Sequence, residues 1–398
     1  MTQSSPRHPH LLLALTFVGY IALGLPDALI GVAWPAIRAD FNLPISALGP
    51  LYIATTTGYV VASAATGSIL ARTGIGALLA ASCALTGLAL FGYTIAPSWL
   101  VIVAIGVLTG FGGGAIDAAI NTYAAVQYST RVVNVLHAFY GVGAALGPAL
   151  MTAILVHGHD WRYGYWIVVA VEVALALAFM SARKQWGALN IHHPDHGPVG
   201  YLETLRLSQV QLSLVVFLLY TGCEAAAGAW IFSLLYEQRE FATTSAGLAV
   251  SLYWSGLFAS RLGYAFLPVN TRPALVVWAS MLTSLIAIVL VALQIHPAAD
   301  IAAIAILGFA SGPIFPCMIA MTPARLGAKH TANAVGAQVS IAAVGIAALP
   351  ALSGVLAQRS NLESIPIFLA ACWAALLLAY WSLERLGHAS SDRDTLLP

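Results

Sequence analysis

Charged residues are scarce in this chain. Asp, Glu, Lys and Arg make up 8% of its 398 residues, whereas 60% of the residues are hydrophobic. Because about a quarter of the residues in soluble domains are charged, this composition excludes a soluble α/β enzyme of this length. The net charge of +1 also excludes strong electrostatic recruitment of nucleic acid. We therefore expect no nucleic-acid partner and a surface that faces a lipid bilayer.

Cysteine is also rare, and its pattern contains no metal or redox motif. The four cysteines lie inside apolar runs and form no CxxC pair, which predicts small buried residues and no disulfide or metal site. The sequence contains neither a nucleophile elbow nor a soluble catalytic domain. We therefore predict that the protein is not an enzyme and that it has no resident cofactor. The cysteines are Cys83, Cys223, Cys317 and Cys372.

Apolar runs long enough to cross a bilayer recur along the whole chain. They predict an all-α membrane protein with twelve transmembrane helices in two pseudo-symmetric six-helix bundles. We assign residues 1–182 to the N-terminal bundle, 183–207 to a cytoplasmic linker and 208–398 to the C-terminal bundle. The predicted spans are residues 11–36, 46–71, 75–95, 99–122, 134–156, 163–182, 208–236, 243–266, 272–294, 299–322, 332–356 and 363–384.

The distribution of basic residues predicts the orientation of these helices. Lys and Arg are enriched in cytoplasmic segments of membrane proteins. With a cytoplasmic N-terminus, twelve basic residues fall inside and four fall outside. This bias predicts a multi-pass protein of the cell membrane, inner or plasma, with both termini and the linker in the cytoplasm. The outside residues are Arg38, Arg162, Arg239 and Arg359; the inside ones are Arg7, Arg72, Arg131, Arg183, Lys184, Arg206, Arg261, Arg272, Arg325, Lys329, Arg385 and Arg393.

The two halves share a short internal repeat. The first and seventh predicted helices each carry an acid, a glycine four residues later and then a tryptophan. Duplicated halves place a substrate site between them, near the middle of the membrane. The repeated residues are Asp27, Gly31 and Trp34 in the first half, and Glu224, Gly228 and Trp230 in the second.

A second match joins the cytoplasmic ends of the second and eighth helices. Residues Gly67–Gly74 and Gly256–Gly263 both contain Gly, Arg and Gly at identical spacing. The two arginines, Arg72 and Arg261, are candidates for ion pairs of a cytoplasmic gate. Anchoring of the helix ends by the positive-inside effect alone is an equal alternative.

Four acids lie within the predicted spans, at Asp27, Asp117, Glu172 and Glu224. Each costs about 2.5 kcal/mol or more on insertion scales, so such residues face a cavity or a partner. Glu172 has no polar neighbour in its own helical turn, and we leave it outside the site. The other three are candidates for proton coupling and substrate binding, because burial favours the neutral carboxyl and so promotes proton exchange.

Asp117 has the strongest local signal. Asn121 lies four residues after it and therefore on the same helix face, so we include both in the site. The glycines before Asp117 permit close helix contact and are not a nucleotide loop, because no Lys follows them. Asp27 follows Pro26, which loosens the backbone hydrogen bonds of its helix. Glu224 could accept hydrogen bonds from the hydroxyls of a sugar.

Further polar and aromatic residues are candidates for lining a solute cavity. Sugar sites combine aromatic faces with amides and acids, although aromatic residues in membrane helices also serve in packing or as interfacial anchors. A His–carboxylate pair could relay protons, but a histidine at a helix entrance can equally be a satisfied polar residue. The candidates are His137, Tyr140, Tyr220, Trp230, Tyr253, Trp254 and Gln338.

These motifs together resemble the major facilitator superfamily. The stretch Gly67–Gly74 resembles the cytoplasmic signature of that superfamily between its second and third helices. Ala71 stands where an Asp is usual, which leaves the gate chemistry attributed to that Asp without its carboxylate. The resemblance implies twelve helices in two halves that alternate in access to a central site.

Within the superfamily, the chain resembles the fucose–proton symporter and the bacterial glucose/mannose symporters. The resemblance lies in Gly113–Asn121, His137–Pro148 and two stretches of the second half, Tyr220–Glu224 and Ser251–Gly256. In such symporters an acid of the first helix and an acid of the fourth helix handle proton and sugar. The resemblance implies those roles for Asp27 and Asp117.

The sequence therefore predicts a proton-coupled symporter of a small polar solute such as a sugar. We expect a monomer whose partners are the solute and the lipid bilayer. Na⁺ is an alternative coupling ion, because carboxylates serve both ions. Two other functions stay open, namely a proton-coupled efflux antiporter for drugs or amphipathic metabolites and a membrane sensor that does not transport.

Overall fold

The computed structural model describes residues 9–128, 130–186, 199–264, 266–268 and 271–394, and within these ranges it contains helices and no strands. In lipid, a helix satisfies all its backbone hydrogen bonds internally, which is why the apolar runs fold this way. The helices of the first half are α1 (Pro9–Asp40), α2 (Leu48–Thr73, preceded by the 3₁₀ turn Ile45–Ala47), α3 (Ile75–Ile95), α4 (Trp99–Gln127), α5 (Thr130–Val156) and α6 (Arg162–Ser181).

A short helix, α7 (Tyr201–Leu205), precedes the second half. The helices that follow are α8 (Ser208–Ser233, continued by the π-helical turn Leu234–Gln238), α9 (Thr243–Tyr264), α10 (Pro273–Leu293), α11 (Pro297–Ser311), α12 (Ile314–Leu326), α13 (Ala328–Arg359) and α14 (Ser364–Asp394).

These helices account for all twelve predicted spans. Eleven segments of the described residues are long and apolar enough to cross a membrane, and α11 with α12 forms one of them, Pro297–Leu326. The eighth predicted span corresponds to α9, which has 22 residues but is less apolar because it carries serines, threonines and Arg261. The all-α membrane fold is therefore confirmed. The chain positions of the bundle boundaries stay a prediction, because residues 187–198 of the predicted linker, like Arg7, lie outside the described residues.

Glycines let two pairs of helices approach closely, one pair in each half. A side chain on Gly110 of α4 would collide with the carbonyl oxygen of Thr55 of α2, and one on Gly308 of α11 would collide with that of Tyr253 of α9. The number of residues from Thr55 to Tyr253 equals the number from Gly110 to Gly308. The pair α2 and α4 therefore corresponds to the pair α9 and α11.

This structural register corrects the match between the two arginines. Counted from the helix contacts, Arg261 corresponds to Ser63 and not to Arg72. Arg72 is exposed at the end of α2, whereas Arg261 is directed into the protein, where it pairs with Glu224. The two arginines do not occupy equivalent places, because backbone contacts and not the Gly–Arg–Gly spacing set the register. Their role at a gate stays a prediction.

Two polar contacts join the halves at one end of the molecule, which we call the clasp end. Arg38 Nη2 at the end of α1 lies 2.7 Å from Glu237 Oε1 in the π-helical turn. The backbone N–H of Ile45 donates to Gln358 Oε1 of α13 at 2.9 Å. Both contacts tie the N-terminal half to the C-terminal half near the ends of α1 and α13.

Close backbone packing accompanies the polar contacts toward the clasp end. A Cβ on Gly31 of α1 would stand 2.6 Å from the carbonyl oxygen of Gly228 of α8, and one on Gly49 of α2 would stand 3.0 Å from Ala351 Cβ of α13. Toward the other ends of α2 and α13, a Cβ on Gly67 or Gly336 would meet no atom within 4 Å. The halves therefore meet tightly at the clasp end, whereas no neighbouring helix among the described residues approaches Gly67 or Gly336.

Within the second half, Arg239 fixes the segment after the π-helical turn. Its guanidinium makes two hydrogen bonds to Glu363, of 2.8 and 2.7 Å, and one of 2.8 Å to Asp300 Oδ2. Burial opposes the charge, but these hydrogen bonds and the two carboxylate charges outweigh it and raise the pKa of Arg239. The end of α8 is thereby held to the starts of α11 and α14.

We expect Gly110→Ala to destabilise the protein. The new methyl group meets the backbone of Thr55, so α2 and α4 must move apart, and such overpacking costs about 1–3 kcal/mol. The melting temperature of the purified protein in detergent measures the effect. Gly67→Ala is the matched control, because its methyl group enters open space. Equal melting temperatures of the two variants would contradict the close contact.

Candidate functional site

A hydrogen-bonded network surrounds Asp117 in the first half. Tyr59 of α2 donates its hydroxyl to Asp117 Oδ2, and Asn121 Nδ2 donates to Asp117 Oδ1 at 3.0 Å. Tyr20 of α1 donates to Asn121 Oδ1 at 2.8 Å. Each carboxyl oxygen of Asp117 therefore has a donor, and the network links α1, α2 and α4 at the place that the sequence predicted for a functional pair.

Asp27 is exposed, although residues 22–25 and 28–35 of the same helix are buried. Tyr140 of α5 donates its hydroxyl to Asp27 Oδ2 at 2.9 Å. Protein atoms surround the carboxylate, so it does not lie on the outer surface of the protein. Its exposed surface therefore faces an interior opening between helices, which is the arrangement that a membrane-embedded acid requires.

The second half contributes an ion pair. Arg261 Nη2 of α9 lies 3.2 and 3.3 Å from the two carboxyl oxygens of Glu224 of α8. The Nε of Arg261 donates to the carbonyl oxygen of Gly312 at 3.2 Å, and the hydroxyl of Tyr220 donates to Glu224. The Glu224 and Arg261 side chains keep 15% and 19% of their surface exposed, so they too border an opening.

Helix α5 connects these two parts. Gly141 of α5 packs against Phe258 of α9, and the same face of α5 carries His137 and Tyr140. The charge of Arg261 acts on both His137 and Tyr140. Asp117 acts on His137 as well, and the His137 side chain is exposed. Residues of both halves therefore form one electrostatically connected site.

Two of the residues predicted to line the cavity lie elsewhere. Trp230 is buried, and its indole N–H donates to the carbonyl oxygen of Pro350 at 3.0 Å. Gln338 is buried between Thr322 and Ser213, with hydrogen bonds of 3.1 and 3.0 Å. The structure does not bring either residue to the site, because their polar atoms are occupied by neighbouring helices.

Tyr253 and Trp254 lie closer to the acids. The hydroxyl of Tyr253 donates to the backbone oxygen of Glu224 at 3.0 Å, so it supports the helix turn that carries this acid. Trp254 packs against Gly228, one turn after Glu224, and its indole N–H has no hydrogen-bond partner in the part of the chain that the structure describes. A buried donor without a partner needs an explanation such as water or a ligand.

Sequence reasoning missed Tyr20 and Tyr59. Tyr20 lies seven residues before Asp27 and therefore on a similar face of α1, which is a signal that the sequence does contain. Tyr59 lies on α2, and its approach to Asp117 depends on the tight packing of α2 on Gly114, which spacing alone does not reveal.

Glu172 is separate from the site. It is fully buried on α6 and packs against Gly87 of α3. Its carboxyl group lies beside the thiol of Cys83 of α3 and has no cationic partner among the described residues.

The described residues of the site are not arranged as a metal-binding group. Among the described residues, no group of three or more His, Cys, Asp or Glu side chains could hold a metal ion. Its chemistry is instead that of carboxyl groups, phenol hydroxyls, one imidazole and one guanidinium. Such groups can bind and release protons and can form hydrogen bonds to a polar solute.

Comparison with known proteins relates most of the chain to one protein family. Residues 16–350 match the family model described as Major Facilitator Superfamily. "Bypass of stop codon protein 6" of Saccharomyces cerevisiae is 24% identical over 403 residues, which cover 92% of this chain and 80% of the yeast protein. The uncharacterized MFS-type transporter YfkL of Bacillus subtilis is 22% identical, and the match covers 88% of this chain and 90% of YfkL.

Solved structures share the fold. The nucleoside transporter NupG matches with a TM-score of 0.78 at 11% identity, and the match covers 94% of this chain and 100% of the NupG chain. The human organic anion transporter MFSD10 matches with a TM-score of 0.67 at 14% identity, over 94% of this chain and 100% of that one. FucP in its outward conformation matches with a TM-score of 0.64 at 15% identity, over 95% of this chain and 99% of that one.

We expect Arg261→Met to destabilise the protein, because it leaves the charge of Glu224 unpaired. Loss of one partner of a buried pair costs about 3–5 kcal/mol, and the partial exposure of this pair places it at or below the low end of that range. The double variant Arg261→Met/Glu224→Gln should recover most of the melting temperature. Arg72→Met is the control at an exposed position. A double variant no more stable than Arg261→Met would contradict the pairing.

Proposed function

This chain belongs to the Major Facilitator Superfamily, and on that premise we propose that it is a proton-coupled secondary transporter that moves a small polar solute, such as a sugar, by alternating access. We take import as the direction and H⁺ as the coupling ion. We place the protein in the cell membrane, inner or plasma, as a monomer with both termini in the cytoplasm.

One observation carries the proposal, which is the exposure of Asp27 inside an otherwise buried part of α1. A carboxylate in the middle of a membrane span is tolerated where water or a partner reaches it. Asp27 has both, because Tyr140 donates to one oxygen and the side chain borders the interior opening. A site that water reaches is also a site that protons and polar solutes reach.

The three acids have different surroundings, and we assign them different roles. Asp117 takes up the proton or coordinates the solute, because its donors Tyr59 and Asn121 hold its position. Asp27 couples the two, because it borders the opening between the halves. Glu224 contacts solute hydroxyls from the other half, where Arg261 compensates its charge. A proton on a buried carboxylate removes its charge and lowers the electrostatic cost of an occluded state.

The arrangement of the halves fits one side of an alternating-access cycle. The Arg38–Glu237 pair and the Ile45–Gln358 hydrogen bond join the halves at the clasp end. We infer that the opening lies toward the other end, where no neighbouring helix in the described part of the chain approaches Gly67 or Gly336. If the basic residues orient the chain as predicted, the clasp end faces outward and the opening faces the cytoplasm. The opposite state then requires the clasp contacts to break.

A second candidate is efflux of amphipathic compounds by proton antiport. Tyr140 favours it, because its hydroxyl donates to Asp27 and its ring offers an apolar face beside that acid. Efflux would use the same acids in the opposite direction of net solute flow. Resistance of expressing cells to a toxic compound, without sugar uptake, would favour this reading over import.

We expect proton-driven uptake in proteoliposomes to depend on Asp117. A panel of sugars and small metabolites, first screened by thermal shift, is tested with an imposed pH gradient and, separately, with a Na⁺ gradient. Asp117→Asn should lose gradient-driven accumulation, whereas Glu172→Gln, outside the site, should retain it. Unaltered proton-driven uptake by Asp117→Asn would exclude Asp117 as the coupling acid. A ligand that binds but never crosses would support a sensor instead.

A further inference from the structure

We propose that the solute carries a cationic group, such as a protonated amine or a guanidinium, and that this group pairs with Asp27. The inference rests on the proposed function, because it names the chemical class of the solute for that same site. Three observations carry it, and they concern the charge of the site, the internal repeat and the free acceptor on Asp27.

The charge of the site is not balanced. It contains the carboxylates of Asp27, Asp117 and Glu224, but Arg261 is the one guanidinium that pairs with any of them in the described residues, and its partner is Glu224. His137 is the other group of the site that could carry a positive charge, and it interacts electrostatically with Asp117 and Arg261. Asp27 has no cationic partner among the described residues. Uncompensated interior carboxylates require protons or a cation.

The internal repeat shows what such a cation would replace. Asp27 and Glu224 stand four residues before Gly31 and Gly228, and the backbones of these glycines meet where α1 crosses α8. Glu224 is neutralised by Arg261 of α9. The corresponding residue of α2 is Ser63, whose side chain is short and uncharged. The first half therefore repeats the acid of the second half without repeating its counter-ion.

The groups around Asp27 suit a cationic ligand. Tyr140 donates to Oδ2, whereas Oδ1 accepts no hydrogen bond from the described residues and is free for an N–H donor. Because the hydroxyl of Tyr140 donates to the carboxylate, its phenol ring lies beside Asp27. A cation held against aromatic faces gains about 0.5–2 kcal/mol beyond its ion pair. A carboxylate with one free acceptor and an aromatic neighbour favours an ammonium or guanidinium over a neutral hydroxyl.

The alternative is that protons alone neutralise Asp27 and Asp117 and that the solute is neutral. The two readings differ in one measurable property, which is the preference for a cationic compound over a neutral compound of the same shape. Matched pairs therefore decide between them. Glucosamine and glucose form one pair, and tyramine with 4-hydroxyphenylethanol forms a second pair of different shape.

The experiment measures binding of all four compounds to the purified full-length protein at pH 7, by thermal shift and calorimetry. We expect the cationic member of at least one pair to bind at least tenfold more tightly than its neutral partner. Asp27→Asn should abolish that preference. Ser63→Arg should abolish it as well, because the new guanidinium supplies the missing counter-ion to Asp27. Glu172→Gln should keep the preference, and unliganded melting temperatures verify that each variant is folded.

The proposal is overturned if neither pair shows a preference that depends on Asp27, including the case in which no compound binds. Proton-driven uptake of a neutral sugar without such a preference would overturn this inference and leave the proposed function intact. Tight, Asp27-dependent binding of an amine that never crosses proteoliposomes would support the inference and overturn the proposed function.

Discussion

The structure depends on one constraint, which is that an ionisable side chain at the depth of the hydrocarbon must have water or a partner. Asp117 meets it with Tyr59 and Asn121, and Glu224 meets it with Arg261. Asp27 meets it with Tyr140 and an interior opening. Glu172, which lies outside the site, is fully buried beside the thiol of Cys83. The three acids with polar partners come together between the halves, and the fourth lies between α3 and α6.

Backbone contacts bring these acids together. Glycines let α4 pack on α2, α11 pack on α9, and α1 cross α8, and the acids lie on helices that these contacts fix. Near the clasp end, Gly49 and Ala351 bring α2 and α13 together, while α5 stays packed on α9 through Gly141 and Phe258. The halves are thus closely packed at the clasp end. Such an arrangement can rock without exposing a carboxylate to lipid, because the acids stay on the inner faces of both halves.

The helix count followed from hydropathy, because twelve apolar runs need twelve spans, and even the less apolar α9 has the required length. The pairing of Asp117 with Asn121 followed from a spacing of four residues on one helix. Contacts between helices were out of reach, because no spacing tells how one helix rotates against another. That is why Tyr59 was missed, why Trp230 and Gln338 lie in packed positions, and why Arg261 corresponds to Ser63 and not to Arg72.

The proposed transport mechanism requires that water reaches Asp27, and cysteine labelling measures this access. In a variant whose four native cysteines are replaced by alanine, Asp27→Cys is exposed to a membrane-impermeant thiol reagent in open membrane fragments, with Glu172→Cys as the buried counterpart. If water reaches Asp27, the cysteine at position 27 should react rapidly, whereas the one at position 172 should stay unlabelled. Failure of position 27 to react in folded protein, or equal rates at both positions, would contradict the proposed mechanism.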